Sequence, residues 1–277
     1  MTNQTDEPRN PGLSGVPETM LWTLHNRATE SMRPDGVLRD PEVERIYRGI
    51  DYDFAASFGP GDASHSIRSI MFDRYVAGFL TEHPEAVVVN LGVGLETQRF
   101  RLDNGQALWV AVDLPEAIAI RERFIAPDDR HRHVPASALD ESWYDEVPQD
   151  RPVFITAQGL LMYFEEQAVR RHLVRLSERF PGAWYAFDGI PRWMSKLSSR
   201  PGGFKLTDTY TVPPCPWGVS PRDLDRVLRA WVPSLDQVMV QKYERYPRGF
   251  LQRYVFWCIS STPGLRVMSP FVARLRF

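Results

Sequence analysis

The chain has 277 residues, of which 43% are hydrophobic and 25% charged, as in an ordinary globular protein. A formal net charge of −2 provides no global basic field, so we expect no nucleic-acid or membrane partner and look for a small-molecule site. The two cysteines, Cys215 and Cys258, are too few for a disulfide framework. The polar N-terminus also lacks the pattern of a secretory signal, and we therefore expect a cytoplasmic protein.

The chain is predicted to begin with a mobile arm and then helices. Residues 1–16 combine Pro, Gly, Asn and Thr without periodicity, whereas residues 17–277 are interpreted as a single domain. Helical spacing of apolar residues starts where the arm ends, and Asp40-Pro41 is a cap followed by a first-turn proline, which opens a second helix. Residues 64–84 form an amphipathic pattern typical of a helix packed on a sheet.

Strand and helix patterns then alternate. Apolar strand-like runs lie at 86–91, 108–112, 131–135 (weakly), 153–157 and 184–188, with helical patterns at about 116–125 and 165–180. Repeated β-α units whose strands are apolar on both faces indicate an α/β fold with a parallel sheet covered on both sides.

Residues 189–219 break this alternation with five prolines and four glycines. We interpret them as a long irregular connection forming an inserted cap or lid. Its aromatic residues Trp193, Phe204, Tyr210 and Trp217 are candidates for lining a pocket for a flat, apolar acceptor, although ordinary packing of the loop explains each one equally well.

A closing antiparallel hairpin is predicted after the cap. Ser220-Pro221 is expected to open a helix. Strand-like runs follow at 237–246 and 253–260, separated by a turn containing Pro and Gly.

The stretch VVVNLGVGLETQRFRLD, residues 87–103, points to a nucleotide-type ligand. A strand, the turn Gly92-Val93-Gly94 and a helix let the backbone approach a ligand closely. Asp113 ends the next strand, 21 residues after the first glycine, where an acid binds ribose hydroxyls. Thr97 stands where a dinucleotide fingerprint has its third small residue, which disfavours nicotinamide cofactors and favours S-adenosylmethionine.

Four blocks in order carry a resemblance to a known family. They are VVVNLGVGLETQRFRLD, WVAVDLPEAI, ALDESWYDEVP and PVFITAQGLLMYF. Together they resemble the leucine carboxyl methyltransferase family, most closely its bacterial branch of polyketide carboxyl O-methyltransferases. The resemblance implies a class I methyltransferase fold, Rossmann-like and doubly wound with seven strands. It also implies S-adenosylmethionine as donor, S-adenosylhomocysteine as product and a small-molecule acceptor.

Donor-binding residues follow from the resemblance, position by position. The family's glycine turn falls on Gly92 and Gly94 and its ribose acid on Asp113. The arginine that meets the donor carboxylate falls on Arg68, and a second basic residue near that carboxylate falls on Arg27. The alternative interpretation of each arginine is a solvated charge on a helix surface. For Arg27 the donor-binding and the surface-charge interpretations are equally supported.

Two positions depart from the family pattern. The pair flanking the adenine is Ser137-Ala138, which offers a hydroxyl where relatives often carry an acid. The usual glutamate after the fourth strand is Gln158, which keeps the shape and an acceptor oxygen but deletes one negative charge.

Catalysis needs little from the side chains, since the donor is already activated and positioning supplies most of the acceleration. A carboxylate acceptor needs no base, whereas a hydroxyl would benefit from one. His25, His65 and Tyr163 are candidates, each with a structural role as the stronger interpretation. RHRH at 130–133 lacks acidic and cysteine partners, so no metal site is expected.

The sequence thus predicts an S-adenosylmethionine-dependent O-methyltransferase acting on a carboxylate or hydroxyl of a small molecule, such as a polyketide or other secondary metabolite. Gln158 motivates an alternative, a donor-binding scaffold without transfer activity. The acceptor, the choice between oxygen and nitrogen, and the oligomeric state stay open at this point.

Overall fold

A computed structural model of the chain describes residues 12–13, 15–243 and 269–277. Most of the predicted arm and the whole of the predicted strand at 253–260 lie outside the described residues.

Four helices precede the first strand, as the sequence predicts for the first, second and last of them. They are α1 (Thr19–Ser31), α2 (Pro41–Arg48), α3 (Phe54–Phe58) and α4 (Ser64–Glu82). Asp40 caps α2, because its side chain accepts a hydrogen bond from the backbone N–H of Val43 at 2.9 Å, and Pro41 occupies the first turn.

Strands and helices follow, and they alternate as expected over residues 87–189. They are β1 (Val87–Leu91), α5 (Gln98–Leu102), β2 (Leu108–Asp113), α6 (Pro115–Arg121), β3 (His131–Pro135), β4 (Val153–Ala157), α7 (Glu166–Arg179), β5 (Trp184–Gly189), α8 (Arg192–Ser198), β6 (Phe204–Lys205), β7 (Thr211–Val212), α9 (Leu224–Trp231), β8 (Gln237–Lys242) and β9 (Phe271–Arg276).

Seven strands form one sheet in the order β3-β2-β1-β4-β5-β9-β8. The first five are parallel, and the strand order reverses beside β1, whose neighbours are β2 and β4. Ligands of open α/β sheets bind beyond the carboxyl ends of the strands at this reversal. The topology therefore places the site where β1, β2 and β4 end.

Alternate residues of β1 serve the two faces of the sheet. Val87 and Val89 pack in a core that includes α7 and α9, while Val88 packs in a second core with α4. Every residue of β1 is buried. Each valine so buried contributes roughly 1.5–3 kcal/mol, which explains why the strand is continuously apolar.

The closing antiparallel pair is present, but the partner of β8 is β9 rather than a strand at 253–260. β9 lies between β5 and β8 and is antiparallel to both. Arg274 and Arg276 interrupt its apolar pattern, which conceals it in the sequence. The Arg274 guanidinium carbon lies 4.4 Å from the centroid of the Trp184 ring and 5.0 Å from that of Tyr75, so aromatic faces cover the charge.

The segment 189–219 contains regular structure that its composition did not predict, namely α8 and the β6–β7 ribbon. The ribbon packs on the N-terminal helices. Thr207 and Thr209 donate side-chain hydrogen bonds to the carbonyls of Ser57 and Ala56, at 2.8 and 2.7 Å.

Candidate active site

A cavity of about 310 Å³ lies at the carboxyl ends of β1, β2 and β4. Its walls come from α1 and the residues before it, α4, the glycine turn, the end of β2 and the segments after β3 and β4. Of the residues predicted from the sequence, the cavity brings together Arg27, Arg68, Gly92, Gly94, Asp113, Ser137, Ala138, Gln158 and Tyr163.

The glycine turn has the geometry that the sequence predicts. Gly92 and Gly94 have positive φ angles of 60° and 46°, a region that strains other residues. The backbone N–H of Gly92 donates to the carbonyl of Val112 at 2.9 Å, and that of Gly94 donates to the Asp113 carboxylate at 2.7 Å. The turn is therefore held against the end of β2.

Asp113 is the last residue of β2, and one of its carboxylate oxygens accepts the hydrogen bond from Gly94. Its second oxygen accepts from the backbone N–H of Leu114 at 2.8 Å. Burial raises the pKa of Asp113, while these two backbone donors act in the opposite direction. The carboxylate keeps lone pairs beyond these two bonds and lines the cavity, so it can accept from a ligand hydroxyl.

Arg68 projects from α4 into the same cavity. Its guanidinium lies 3.2 Å from the carboxylate of Asp188, which also accepts from the Tyr243 hydroxyl at 3.2 Å. Its Nε is buried and has no hydrogen-bond partner among the described residues. Arg68 thus combines a fixed position with donor capacity suited to a carboxylate.

Arg27 has its donors engaged within the protein. Nε donates to the carbonyl of Thr23 at 3.3 Å, and Nη2 to that of Leu95 at 3.0 Å. Nη1 lies 2.9 Å from the Glu96 carboxylate and 3.3 Å from the Thr97 hydroxyl. Arg27 therefore stabilises the segment that directly follows the glycine turn.

The two departures from the family pattern also line the cavity. The Oε1 atom of Gln158 is buried without a partner among the described residues. The Ser137 hydroxyl accepts from the backbone N–H of Leu139 at 3.2 Å, and the carbonyl of Ala138 accepts from the Trp143 indole at 3.3 Å. Gln158 is thus an acceptor still open to a ligand.

Of the three candidate bases, Tyr163 alone lines the cavity. Burial raises the pKa of its hydroxyl, which is therefore neutral near pH 7. His25 bonds the Tyr47 hydroxyl and the carbonyl of Gly59, at 3.1 and 3.0 Å. His65 contacts Asn26 at 2.8 Å, and burial lowers its pKa well below the usual value. Both histidines have structural partners.

The four cap aromatics do not line this cavity. Trp193 and Phe204 are exposed on the surface, at 45% and 41%. Tyr210 and Trp217 are buried instead, the former with its ring centroid 4.9 Å from that of Phe58. The structure thus places these residues in surface and packing positions, away from the predicted pocket.

Sequence reasoning missed several charged residues around the turn. Glu96 lines the cavity. Arg121 donates hydrogen bonds to the carbonyls of Gly94 and Glu96, at 3.0 and 2.8 Å. Burial lowers the pKa of Arg121 to about 10. Asp188 is the partner of Arg68, 120 residues away in sequence. These pairs join distant segments, so only the charged LETQRFR run after the turn could have hinted at them.

Neither a metal cluster nor a membrane-spanning helix occurs in the described part of the chain. Within it, no group of three or more His, Cys, Asp or Glu side chains has metal-binding geometry. None of its helices is long and apolar enough to cross a bilayer.

Comparison with solved structures shows the fold. The fold resembles the crystal structure of the plantazolicin methyltransferase BamL in complex with a triazolic desmethylPZN analog and SAH, with a TM-score of 0.51. The sequences are only 13% identical, and the match covers 94% of this chain and 98% of BamL. The likeness establishes the seven-stranded methyltransferase fold.

Sequence comparison defines the family. Residues 20–177 match the leucine carboxyl methyltransferase family. The chain is 33% identical over 220 residues to the tetracenomycin polyketide synthesis O-methyltransferase TcmP of Streptomyces glaucescens, covering 77% of this chain and 79% of TcmP. It is 28% identical over 198 residues to the S-adenosyl-L-methionine-dependent methyltransferase dpfgK of Gibberella zeae, covering 65% and 66%.

The chain therefore belongs to the leucine carboxyl methyltransferase family. It is an S-adenosylmethionine-dependent methyltransferase, which sets the nicotinamide alternative aside.

Two Gly→Ala substitutions, one in the glycine turn and one in α4, should have opposite effects on the stability of the fold. A Cβ at Gly94 would lie 3.0 Å from the Cβ of Met20 in a left-handed conformation, so Gly94→Ala should destabilise the fold by about 1–2 kcal/mol. Gly78 lies inside α4 with nothing within 4 Å of an added Cβ, and Gly78→Ala should stabilise by up to about 1 kcal/mol. Urea denaturation measures both, and equal effects would contradict the strained turn.

The folded protein should lose stability in acid as Glu96 becomes protonated. Burial alone would raise its pKa, but the guanidinium groups of Arg27 and Arg101 lower it from 4.5 to about 2. Ionised Glu96 therefore contributes stability that is complete above pH 4.5 and disappears as the pH falls towards 2, about 2 kcal/mol of it by pH 3.

Denaturant unfolding between pH 7 and pH 3 measures this contribution. Glu96→Gln should be less stable than the parent at pH 7 but should lose less stability on acidification. Asp145→Asn, at a side chain that is 90% exposed, should follow the parent. Parallel curves for the parent and Glu96→Gln would show that the charge of Glu96 does not contribute.

Proposed function

We propose that this protein transfers the methyl group of S-adenosylmethionine to a carboxylate oxygen of an apolar small molecule. The observation that carries the proposal is the division of the cavity. One part is polar and charged, while Met20 of α1 together with Leu160 and Phe164 after β4 forms an apolar wall. Tyr163, in the same segment after β4, is neutral near pH 7 and does not act as a base there. The polyketide O-methylation named for TcmP supports an acceptor of this kind.

The residues of the polar part fit the donor. Asp113 suits the ribose hydroxyls, and Ser137 with Ala138 would flank the adenine. At the other end, the unpaired Nε of Arg68 and Oε1 of Gln158 are complementary to the carboxylate and ammonium groups of an amino acid. Unsatisfied buried polar atoms are costly, so their presence supports a polar ligand at this end.

The bound donor supplies an electrophilic methyl group on a positively charged sulfur. The work left to the protein is to orient both molecules and exclude water, which can give effective molarities of about 10⁵ M or more. The glycine turn, tied to β2 through Gly92 and Gly94, provides a rigid floor for this purpose.

The acceptor would lie against the apolar wall. Met20, Leu160 and Phe164 supply its contact surface. The Tyr163 hydroxyl, kept neutral by burial, can donate a hydrogen bond to the acceptor but does not remove a proton near pH 7. A carboxylic acid is already ionised at that pH and needs no base, so it suits this site better than a phenol or alcohol does.

Donor binding should depend on Asp113. A ligand at about 100 times its dissociation constant stabilises a protein by about 2.7 kcal/mol, which thermal unfolding detects. Asp113→Ala should abolish the stabilisation by S-adenosylhomocysteine, because the ribose loses its acceptor. Asp145→Ala, at an exposed carboxylate, should retain it. A full response from Asp113→Ala would show that the ribose is bound elsewhere.

The product should be a methyl ester. With radiolabelled S-adenosylmethionine and a panel of aromatic acids and matched phenols, the label should appear on the acids and be released as methanol by mild base. The rate should stay flat between pH 6 and pH 8, because no group titrates there in the transfer step. Tyr163→Phe should lower kcat without changing this profile.

Base-stable methyl ethers, or a rate that rises with pH and flattens in Tyr163→Phe, would instead indicate hydroxyl methylation. Donor binding without transfer to any acceptor of the panel would favour the scaffold interpretation.

A further inference from the structure

A cluster of five charged side chains lies next to the residues that follow the glycine turn, and we call it the buried ion network. Its members are Arg27, Asp40, Asp73, Glu96 and Arg101. Arg101 lies 2.6 Å from Asp40, 2.7 Å from Asp73 and 2.9 Å from Glu96. Arg27 lies 2.9 Å from Glu96. All five side chains are at most 14% exposed.

The network contains three carboxylates and two guanidinium groups, so it carries one excess negative charge when all are ionised. Neither guanidinium needs a further anion, since Arg101 alone has three. Arg68 and Arg121 also interact electrostatically with Glu96, so positive charge outside the network balances it. A ligand at Glu96 would therefore depend on the position of this carboxylate in the cavity and on its free lone pair.

Glu96 is the carboxylate of the network that lines the cavity. Its Oε1 contacts both arginines and accepts from the backbone N–H of Thr97 at 2.8 Å. Its Oε2 has one partner among the described residues, the Ser69 hydroxyl at 3.2 Å. A carboxylate oxygen accepts more than one hydrogen bond, so Oε2 keeps capacity for a ligand.

The neighbour of Ser69 on α4 is Arg68, whose buried Nε lacks a partner among the described residues. A cation with open donor capacity and an anion with an open lone pair thus both line the cavity. A zwitterionic amino-acid group presents the complementary pair of charges.

We propose that Glu96 binds the ammonium group of the donor's amino-acid end, while Arg68 takes its carboxylate. This assignment rests on the proposed function. Among the described residues that line the cavity, Asp113 is the other acid, and its carboxylate accepts from the backbone N–H groups of Gly94 and Leu114. Gln158 then contributes a neutral acceptor, and the charge for the ammonium comes from Glu96.

Arg27 has a defined part in this arrangement. Each of its three guanidinium nitrogens has a protein partner, so it serves as a positioning residue that fixes Glu96 in its ionised form. Asp40 acts one step further away, since it holds Arg101 while capping α2.

Calorimetric titration with two ligands tests the assignment. S-adenosylhomocysteine carries the amino-acid group, whereas methylthioadenosine keeps the adenosine and the sulfur but lacks that group. Glu96→Gln should weaken S-adenosylhomocysteine binding by about tenfold or more, as expected for a lost hydrogen bond between charged groups, and leave methylthioadenosine within about twofold.

Asp73→Asn is the matched control. Asp73 belongs to the same network and contacts Arg101, but it does not line the cavity. Its substitution should change the affinity for both ligands to the same small extent. If Glu96→Gln does not fold, as judged by circular dichroism, Glu96→Asp replaces it. Glu96→Asp keeps the charge but withdraws the carboxylate, and it should show the same selective loss.

Equal weakening of both ligands by the Glu96 variant would overturn the assignment, because it would indicate a general structural role. Loss of S-adenosylmethionine affinity with unchanged S-adenosylhomocysteine affinity would also overturn it, by moving Glu96 to the sulfonium. A parent protein that binds neither ligand would refute the proposed function itself, an outcome distinct from both.

Discussion

The contact between Glu96 and its two arginines holds the site together. Arg27 brings α1 to this carboxylate at 2.9 Å, and Arg101 brings α5 to it at the same distance. Asp40 links α2 to Arg101. Removing one member of such a buried group typically costs about 3–5 kcal/mol, because the remaining charge is left without a partner. The helices before the sheet are thus joined to the turn by charge as well as by apolar packing.

The glycine turn is held from three sides. Asp113 accepts the N–H of Gly94, Arg121 donates to the carbonyls of Gly94 and Glu96, and Arg27 donates to that of Leu95. A loop fixed in this way has little freedom to adjust to a ligand. Its geometry is therefore set before a ligand arrives, which is the condition under which positioning accelerates a reaction.

The sequence is informative wherever the signal is local. The apolar runs of β1, β2 and β4, the Asp40-Pro41 cap and the turn at Gly92 each follow from a few adjacent residues, and the structure confirms them. The position of the cavity follows from the strand order.

Features made by distant residues were not predictable. Arg68 and Asp188 are 120 residues apart, and nothing near either one signals their contact. β9 lacks a clean alternating pattern, since Arg274 occupies an inward-facing register and is covered by the Trp184 ring. In both cases a charged side chain is stabilised by a neighbour from a distant part of the chain. The local sequence does not reveal such neighbours.

The place of β9 between β5 and β8 has a consequence for biosynthesis. β5 ends at Gly189, but the strand that covers its outer edge begins at Phe271. While the ribosome makes the intervening residues, the nascent sheet presents β5 as a bare edge, and an unpaired edge invites pairing with other chains. The nascent protein is consequently exposed to misassembly until β9 has left the exit tunnel and taken its place.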